Sequence, residues 1–170
     1  PRRAILLAPA ALAALLAASG DASAASGAAP TDDDIAALAS PAHLRRLAEH
    51  PDRERRIMLA GLLPEILLLM APIERTEMVA SWATSSSPHL RLAIARALRH
   101  LQAKPRTPGV ITALEHLAGD PDPSIRAAVA EAAWLRRRED PGRLIAVLHR
   151  LSEDDNLFVR EVARLALGDS

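Results

Sequence analysis

The sequence contains no cysteine among its 170 residues. This absence excludes disulfides, thiolate metal sites, a cysteine nucleophile, c-type haem attachment and lipid modification at a cysteine. A chain without cysteine is compatible with any redox compartment, so the compartment stays open. Any chemistry would have to come from other residue types.

Aromatic residues are almost as scarce, with no tyrosine, one phenylalanine and two tryptophans, whereas 49% of the residues are hydrophobic. The chain therefore has enough apolar side chains for the core of one domain, and that core must consist of leucine, isoleucine, valine and alanine. Small side chains of this kind favour close-packed helices over sheets. The composition predicts an all-α domain.

The sequence also lacks an excess of charge of either sign, since lysine plus arginine and aspartate plus glutamate both total 21. A neutral chain has no net field that attracts the phosphates of nucleic acid or an anionic membrane. We therefore expect no nucleic-acid partner.

The first thirty residues have the order of a secretory signal peptide. Arg2 and Arg3 precede a stretch without charged or polar side chains at 4–18, and small residues follow at 22–30. The apolar stretch is shorter than the roughly 20 residues that span a bilayer as a helix. We expect export to the periplasm or the cell exterior, with no stable membrane insertion after the signal is removed. The alternatives are a retained anchor and an alanine-rich helix packed on a cytoplasmic domain.

The rest of the chain is repetitive. Arg56, Arg91, Arg126 and Arg160 are spaced 35, 35 and 34 residues apart, and positions −1, +2, +3, +6 and +7 from each are apolar, except for Arg55. This spacing is an apolar stripe along a helix. Apolar residues at helical spacing also precede each of these arginine-containing helices and indicate another helix there. They are Leu44 and Leu47, Val79 and Trp82, Ile111, Leu114 and Leu117, and Ile145, Leu148 and Leu151. The pattern predicts about four helix-turn-helix units.

Helix starts agree with these units, because a capping side chain precedes a proline at several of them. The pairs are Ser40-Pro41, Ser87-Pro88, Thr107-Pro108, Asp122-Pro123 and Asp140-Pro141, and Thr31–Asp34 caps an opening helix. We expect Pro64 and Pro72 to interrupt the apolar run at 57–73. The predicted organisation is a signal peptide and linker at 1–30 and a repeat domain at 31–170, with units at 31–63, 64–101, 102–138 and 139–170.

Residues 120–132 and 154–168 resemble the second helix of a HEAT repeat, with Asp120 and Arg126 in one and Asp154 and Arg160 in the other. Residues 85–101 match with Ser85 where aspartate is usual, and residues 50–63 match more weakly, with His50 there. The resemblance implies a right-handed α-solenoid, an armadillo-type α-α superhelix with the second helices on its concave side. It also implies that Asp120 with Arg126, and Asp154 with Arg160, belong to a structural aspartate-arginine ladder between repeats.

No pattern for catalysis or cofactor binding is present. The six histidines are scattered without metal-ligand spacing, no glycine-rich phosphate loop occurs, and the serines lie at caps and turns. The arginines at 136–138 read as a solvated helix end, where cations complement the helix dipole. We predict no catalytic residue, no metal site and no cofactor.

The face left for function consists of positions +1, +4, +5 and +8, which should point outward from the second helices. This face includes Ala95, Ala127 and Ala130. The candidate partner-binding residues on it are Leu92, Arg96, Arg99, Glu131, Trp134, Glu161, Arg164 and Leu165, and Phe158 joins them because the last helix is apolar around most of its circumference. Trp134, Arg96 and Arg99 are the expected anchors. The alternative is that all of these are ordinary surface residues.

The sequence therefore predicts an exported, non-enzymatic module that binds or scaffolds another protein or peptide. Self-association through the last helix is a further possibility for the partner. The alternative functions are an auxiliary or lyase-type HEAT-like enzyme and a cytoplasmic regulatory module.

Overall fold

The computed structural model describes residues 40–101 and 109–168, and within these ranges it contains eight α-helices and no strand. The helices are α1 Pro41–Ala48, α2 Arg53–Leu69, α3 Pro72–Ala83, α4 Pro88–His100, α5 Val110–Leu117, α6 Pro123–Arg136, α7 Pro141–Leu151 and α8 Leu157–Leu167. They form four consecutive helix pairs, as the repeat pattern predicts.

The helix pairs stack into two layers. The second helices α2, α4, α6 and α8 each pack on the next one, and the first helices α3, α5 and α7 do the same. The core between the layers is aliphatic and fully buried, with Leu90, Ile94 and Ile125 at 0% exposure. Because every unit needs its neighbour to bury its apolar face, the array is an α-solenoid. The predicted all-α solenoid is confirmed.

Helices begin at the predicted pairs wherever the structure describes them, but the Ser87 side chain makes no capping hydrogen bond. α1, α4, α6 and α7 all have proline as their first residue. The Asp122 side chain accepts a hydrogen bond from the amide of Ser124 at 2.8 Å, and the Ser40 hydroxyl accepts one from the amide of His43 at 3.3 Å. The predicted caps at Thr107-Pro108 and Thr31–Asp34 lie outside the described residues.

Pro64 does not interrupt the apolar run as we expected. Helix α2 continues through it to Leu69, and the chain turns at Met70 and Ala71 before α3 begins. A proline inside a helix removes one backbone hydrogen bond, but Leu63 and Ile66 beside it are almost completely buried, and this packing outweighs the loss. The predicted unit boundary between residues 63 and 64 therefore falls inside α2.

The second helices bury more of their surface than the register predicts. Positions −1, +2, +3, +6 and +7 are buried or half-buried in all four copies, as expected. Ala95, Ala127 and Ala130, which we expected to point outward, are buried as well. Their small side chains allow α4, α6 and α8 to approach one another closely, so these positions belong to the helix-helix interfaces.

One assignment on the first helices is also wrong. Ile145 of α7 is 38% exposed, and the buried face of this helix is formed by Leu144, Val147, Leu148 and Leu151. The buried stripe itself keeps the register of α5, and Ile145 lies beside it at the position equivalent to half-buried Ile111. Trp82 of α3 is 2% exposed and belongs to the core, as predicted.

Candidate functional site

The repeated arginine closes the turn of its own unit in all four copies. In the second unit, Nη1 of Arg91 donates hydrogen bonds to the carbonyl oxygens of Ser85 and Ser86 at 2.8 and 3.0 Å. Arg56, Arg126 and Arg160 make the same two contacts with the carbonyl groups six and five residues before them. This edge of each guanidinium fixes the path of the chain between the paired helices.

The opposite edge of the guanidinium reaches the next repeat. Arg91 donates to the carboxylate of Asp120 at 2.6 and 3.2 Å, and Arg126 donates to that of Asp154 at 2.7 Å from both nitrogens. We expected Asp120 to pair with Arg126 and Asp154 with Arg160. Within one unit, however, the arginine binds the backbone carbonyl oxygen of the aspartate and not its carboxylate. The carboxylate faces the preceding repeat.

Three of the four side chains in these inter-repeat ion pairs, Arg91, Arg126 and Asp154, have shifted pKa values. The hydrogen bond from Arg126 lowers the pKa of Asp154, with burial opposing it and the amide of Asn156 adding to it. The hydrogen bonds that Arg126 donates to Asp154 and Arg91 donates to Asp120 raise the pKa values of these two arginines. Arg91, Arg126 and Asp154 therefore carry their charges near neutral pH, and both ion pairs connect neighbouring repeats.

Arg56 lacks the inter-repeat ion pair. Ser85 stands where the other units have Asp120 and Asp154, and its hydroxyl accepts a hydrogen bond from the amide of Ser87 at 3.1 Å. Asp120 accepts the equivalent bond from the amide of Asp122 at 2.9 Å. Serine thus reproduces the turn without supplying a charge. Among the described residues, no carboxylate lies within ion-pair distance of Arg56.

Four of the predicted partner-binding residues line one surface groove, which we call the Trp134 groove. It has a volume of about 430 Å³ and is lined by Arg99, Glu131, Trp134, Leu135, Val162, Leu165 and Ala166. Its rim carries an ion pair of 2.8 Å between Arg99 of α4 and Glu131 of α6. Its apolar side chains are accessible, with Trp134 37% and Leu165 68% exposed.

The end of helix α6 holds Trp134 in place. The guanidinium of Arg137 lies 3.3 Å from the centre of the indole ring, and its Nη1 donates to the Trp134 carbonyl oxygen at 2.7 Å. Arg136 is not the solvated residue that we expected, because it is only 6% exposed. It donates to the carbonyl oxygens of Leu98 and Leu101 and so caps the end of α4. This fixes the C-terminal turn of α6 against the preceding unit.

A second groove contains two more predicted residues, Leu92 and Arg96. It has a volume of about 450 Å³, and we call it the Arg56 groove. Its lining is Ala48, Arg53, Arg56, Ile57, Ala60, Pro88, His89, Leu92, Ala93, Arg96 and Asp122. The groove therefore lies between the first turns of α2 and α4.

The remaining predicted residues lie on α8 outside both grooves. Phe158 is 65% exposed. Glu161 and Arg164 are exposed and form an ion pair of 3.5 Å along the helix. The nine predicted residues are thus divided among two grooves and the outer surface of the last helix.

Sequence reasoning missed several lining residues. Leu135 lies one position beyond the last outward position of the register, and Val162 occupies a core position that is only half-buried because α8 is the last described helix. Arg56 was identified only as the repeated arginine of the first unit, and Arg53 was not a candidate site residue. Ser85 could have indicated this groove from the sequence, because it replaces the aspartate that would pair with Arg56.

The described ranges hold no cluster of three or more histidine, aspartate or glutamate side chains that could bind a metal. The helices at 40–101 and 109–168 are all too short or too polar to cross a membrane.

The stacked helix pairs and the arginine at each turn define the chain as an α-solenoid of helical repeats, a class that commonly mediates protein interactions. A family model of HEAT repeats matches residues 76–168, which is more than half of the chain. The chain belongs to the HEAT repeat family. No curated protein and no solved structure matches it.

Proposed function

We propose that the chain is an exported, non-enzymatic module that binds a partner protein or peptide in the Trp134 groove. The observation that carries this proposal is the assembly of four predicted residues, Arg99, Glu131, Trp134 and Leu165, around one groove. Three different units supply them, so only the folded array brings them together.

The chemistry of the groove suits a protein ligand. Tryptophan and arginine concentrate binding energy at protein interfaces, where a desolvated apolar centre is surrounded by a polar rim. Trp134 and Leu165 provide the apolar centre, and the Arg99–Glu131 ion pair provides part of the rim. Because Arg137 already holds the indole ring, binding costs little ordering of this side chain.

Site-specific photo-crosslinking tests this assignment without a known partner. A benzophenone amino acid placed at Leu165 should form a defined adduct in extracts of the native host. Unlabelled protein should compete for that adduct, whereas its Trp134→Ala variant should not. Ile145 is exposed on the first-helix layer and provides the matched control position. Equal adducts from both positions, or no effect of Trp134→Ala on the competition, would contradict the proposal.

Export is supported by the charged, apolar and small-residue order of the first thirty residues. Sequencing the N-terminus of the protein purified from its native host tests this part separately. We expect the mature chain to begin between residues 22 and 31. A native protein that retains Arg2 and Arg3 and is found in the cytoplasm would support the regulatory alternative.

A further inference from the structure

The Arg56 groove carries an unbalanced positive charge. Arg53, Arg56 and Arg96 line it together with a single carboxylate, Asp122. Asp122 is engaged elsewhere, because it caps α6 by accepting a hydrogen bond from the amide of Ser124 at 2.8 Å. Within the described ranges, the exposed side chains of Arg53 and Arg96 make no hydrogen bond or ion pair. The groove thus holds three cations without a paired anion.

The chain itself shows what such an arginine normally binds. Arg91 and Arg126 occupy the same register as Arg56, make the same carbonyl contacts, and each pairs through its other edge with a carboxylate. Arg56 has the carbonyl contacts alone, because Ser85 replaces the aspartate. Its second edge therefore has the geometry of a carboxylate-binding fork and no described carboxylate to fill it.

We infer that the Arg56 groove is a second ligand site, which takes a glutamate- or aspartate-rich peptide segment of a partner protein. A carboxylate of the peptide occupies the position that Asp120 and Asp154 hold at the other two arginines. Arg53 and Arg96 pair with neighbouring acidic side chains, and the apolar surface of Ile57 and Leu92 contacts their methylene groups. This inference rests on the proposed protein-binding function but does not depend on the Trp134 groove.

Nucleic acid fits the groove less well than an acidic peptide. Single-stranded binding sites combine cations with aromatic rings on which bases stack, and none of the residues lining this groove is phenylalanine or tryptophan. The chain as a whole has no net positive charge that would follow a phosphate backbone. A short cationic groove on a neutral protein matches a short acidic segment.

Fluorescence anisotropy with a labelled hexaglutamate peptide tests the inference on the full chain, with hexaglutamine as the neutral control. The protein should bind hexaglutamate, more weakly as salt is added, and should not bind hexaglutamine. Arg53→Gln and Arg96→Gln should each weaken binding by about 1.4-fold to fivefold, the range for one exposed charge pair. Arg138→Gln removes an exposed arginine outside the groove and should leave the affinity unchanged.

Ser85→Asp provides the sharpest variant, because it is designed to supply the missing inter-repeat carboxylate. The new side chain should pair with Arg56 as Asp120 pairs with Arg91, so hexaglutamate binding should weaken while the melting temperature rises. Ser85→Asn, which keeps the turn without adding charge, should leave the affinity unchanged. If Ser85→Asp raises the melting temperature and leaves hexaglutamate binding unchanged, Arg56 does not bind the peptide.

Other results would overturn the inference as a whole. These are the absence of hexaglutamate binding by the unmodified chain, equal losses in Arg138→Gln and Arg96→Gln, or tighter binding of a labelled oligonucleotide than of the peptide. Trp134→Ala should not change hexaglutamate binding. Failure of the Trp134 proposal and failure of this inference are therefore measured independently.

Discussion

Arg126 contacts two repeats with one side chain, since its guanidinium donates to the carbonyl oxygens of Asp120 and Pro121 and to the carboxylate of Asp154. The ion pair is mostly shielded from water, with side-chain exposures of 16% for Arg126 and 9% for Asp154. Removing one partner of such a pair leaves the other poorly solvated without a counter-charge. The side chain should therefore matter for stability.

Arg126→Ala should lower the free energy of unfolding by about 1 to 3 kcal/mol, because Asp154 keeps its burial and loses its partner. Urea denaturation followed by circular dichroism measures this change. Arg160→Ala is the matched control, since Arg160 makes the same carbonyl contacts and has no carboxylate within ion-pair distance among the described residues. Equal losses in the two variants would show that the inter-repeat ion pair adds nothing.

The same ion pair predicts how stability depends on pH. Arg126 holds the pKa of Asp154 below its ordinary value of 3.8 in the folded protein. The stabilisation is therefore complete above that value and is lost as the pH falls through the lower folded-state pKa. Asp154→Asn should flatten this acid limb in a series of urea titrations, whereas Asp155→Asn should not. A variant with an unchanged acid limb would contradict the assignment.

At the scale of the element, the glycines of two helices show how backbone conformation decides the effect of a side chain. Gly61 lies inside α2, is exposed, and has open space around the position of a Cβ atom. Gly168 ends α8 in the left-handed region with φ of 84°, where an L-residue is strained. The same substitution should therefore have opposite effects at the two positions.

Gly61→Ala should raise the free energy of unfolding by about 0.5 to 1 kcal/mol, because alanine reduces the freedom of the unfolded chain and favours the helix. Gly168→Ala should lower it by a similar amount. Thermal and urea denaturation of both variants measures the two effects. A loss of stability in Gly61→Ala would contradict the open space found around this position.

Helix α8 leaves three large apolar side chains in water, because no following unit packs on it in the described part of the chain. Leu157, Phe158 and Leu165 are 62%, 65% and 68% exposed. Apolar groups that remain in water at the end of a repeat array favour association with another surface.

We predict that the protein self-associates through α8 at tens of micromolar and that Phe158→Ser combined with Leu165→Glu makes it monomeric. Sedimentation velocity of both proteins measures this difference, and Ile145→Ser on the first-helix layer is the control. A monomer in all three cases would exclude self-association and leave these residues to a different partner.

At the scale of the whole molecule, we predict that the chain consists of a removable leader and a repeat domain that folds without it. The described core consists of buried residues of α1 to α8 and of the turns that follow α2, α4 and α5. The leader lies outside the described residues, so its independence is a prediction from the sequence.

Deleting residues 1–30 should leave the melting temperature nearly unchanged, since a leader contributes nothing to the mature core. Differential scanning calorimetry of the two proteins measures this directly. Deleting residues 31–39 as well should lower the melting temperature, because the predicted opening helix caps the first unit. A loss of several degrees from the first deletion would instead support a packed N-terminal helix.

The sequence by itself determined the all-α solenoid, the number of helix pairs, the buried stripe around each arginine and most helix starts. These follow from short-range rules, since periodicity, capping side chains and proline act within a few residues. The same rules failed at Pro64, because they weigh the lost hydrogen bond and cannot weigh the packing of Leu63 and Ile66 on later helices.

Only the tertiary structure decided which repeat supplies the arginine that binds each aspartate carboxylate. It also decided which surface residues line the same groove. Asp120 is six residues from Arg126 and 29 from Arg91 in the sequence, yet its carboxylate binds Arg91. Stacking of neighbouring units brings these two side chains into contact despite their separation along the chain. Outward positions were derived from single helices, so the burial of Ala95 could not be predicted before the packing of neighbouring helices was known. The two grooves arise in the same way, since each is lined by residues from different units whose distances depend on the stacking and not on their spacing in sequence.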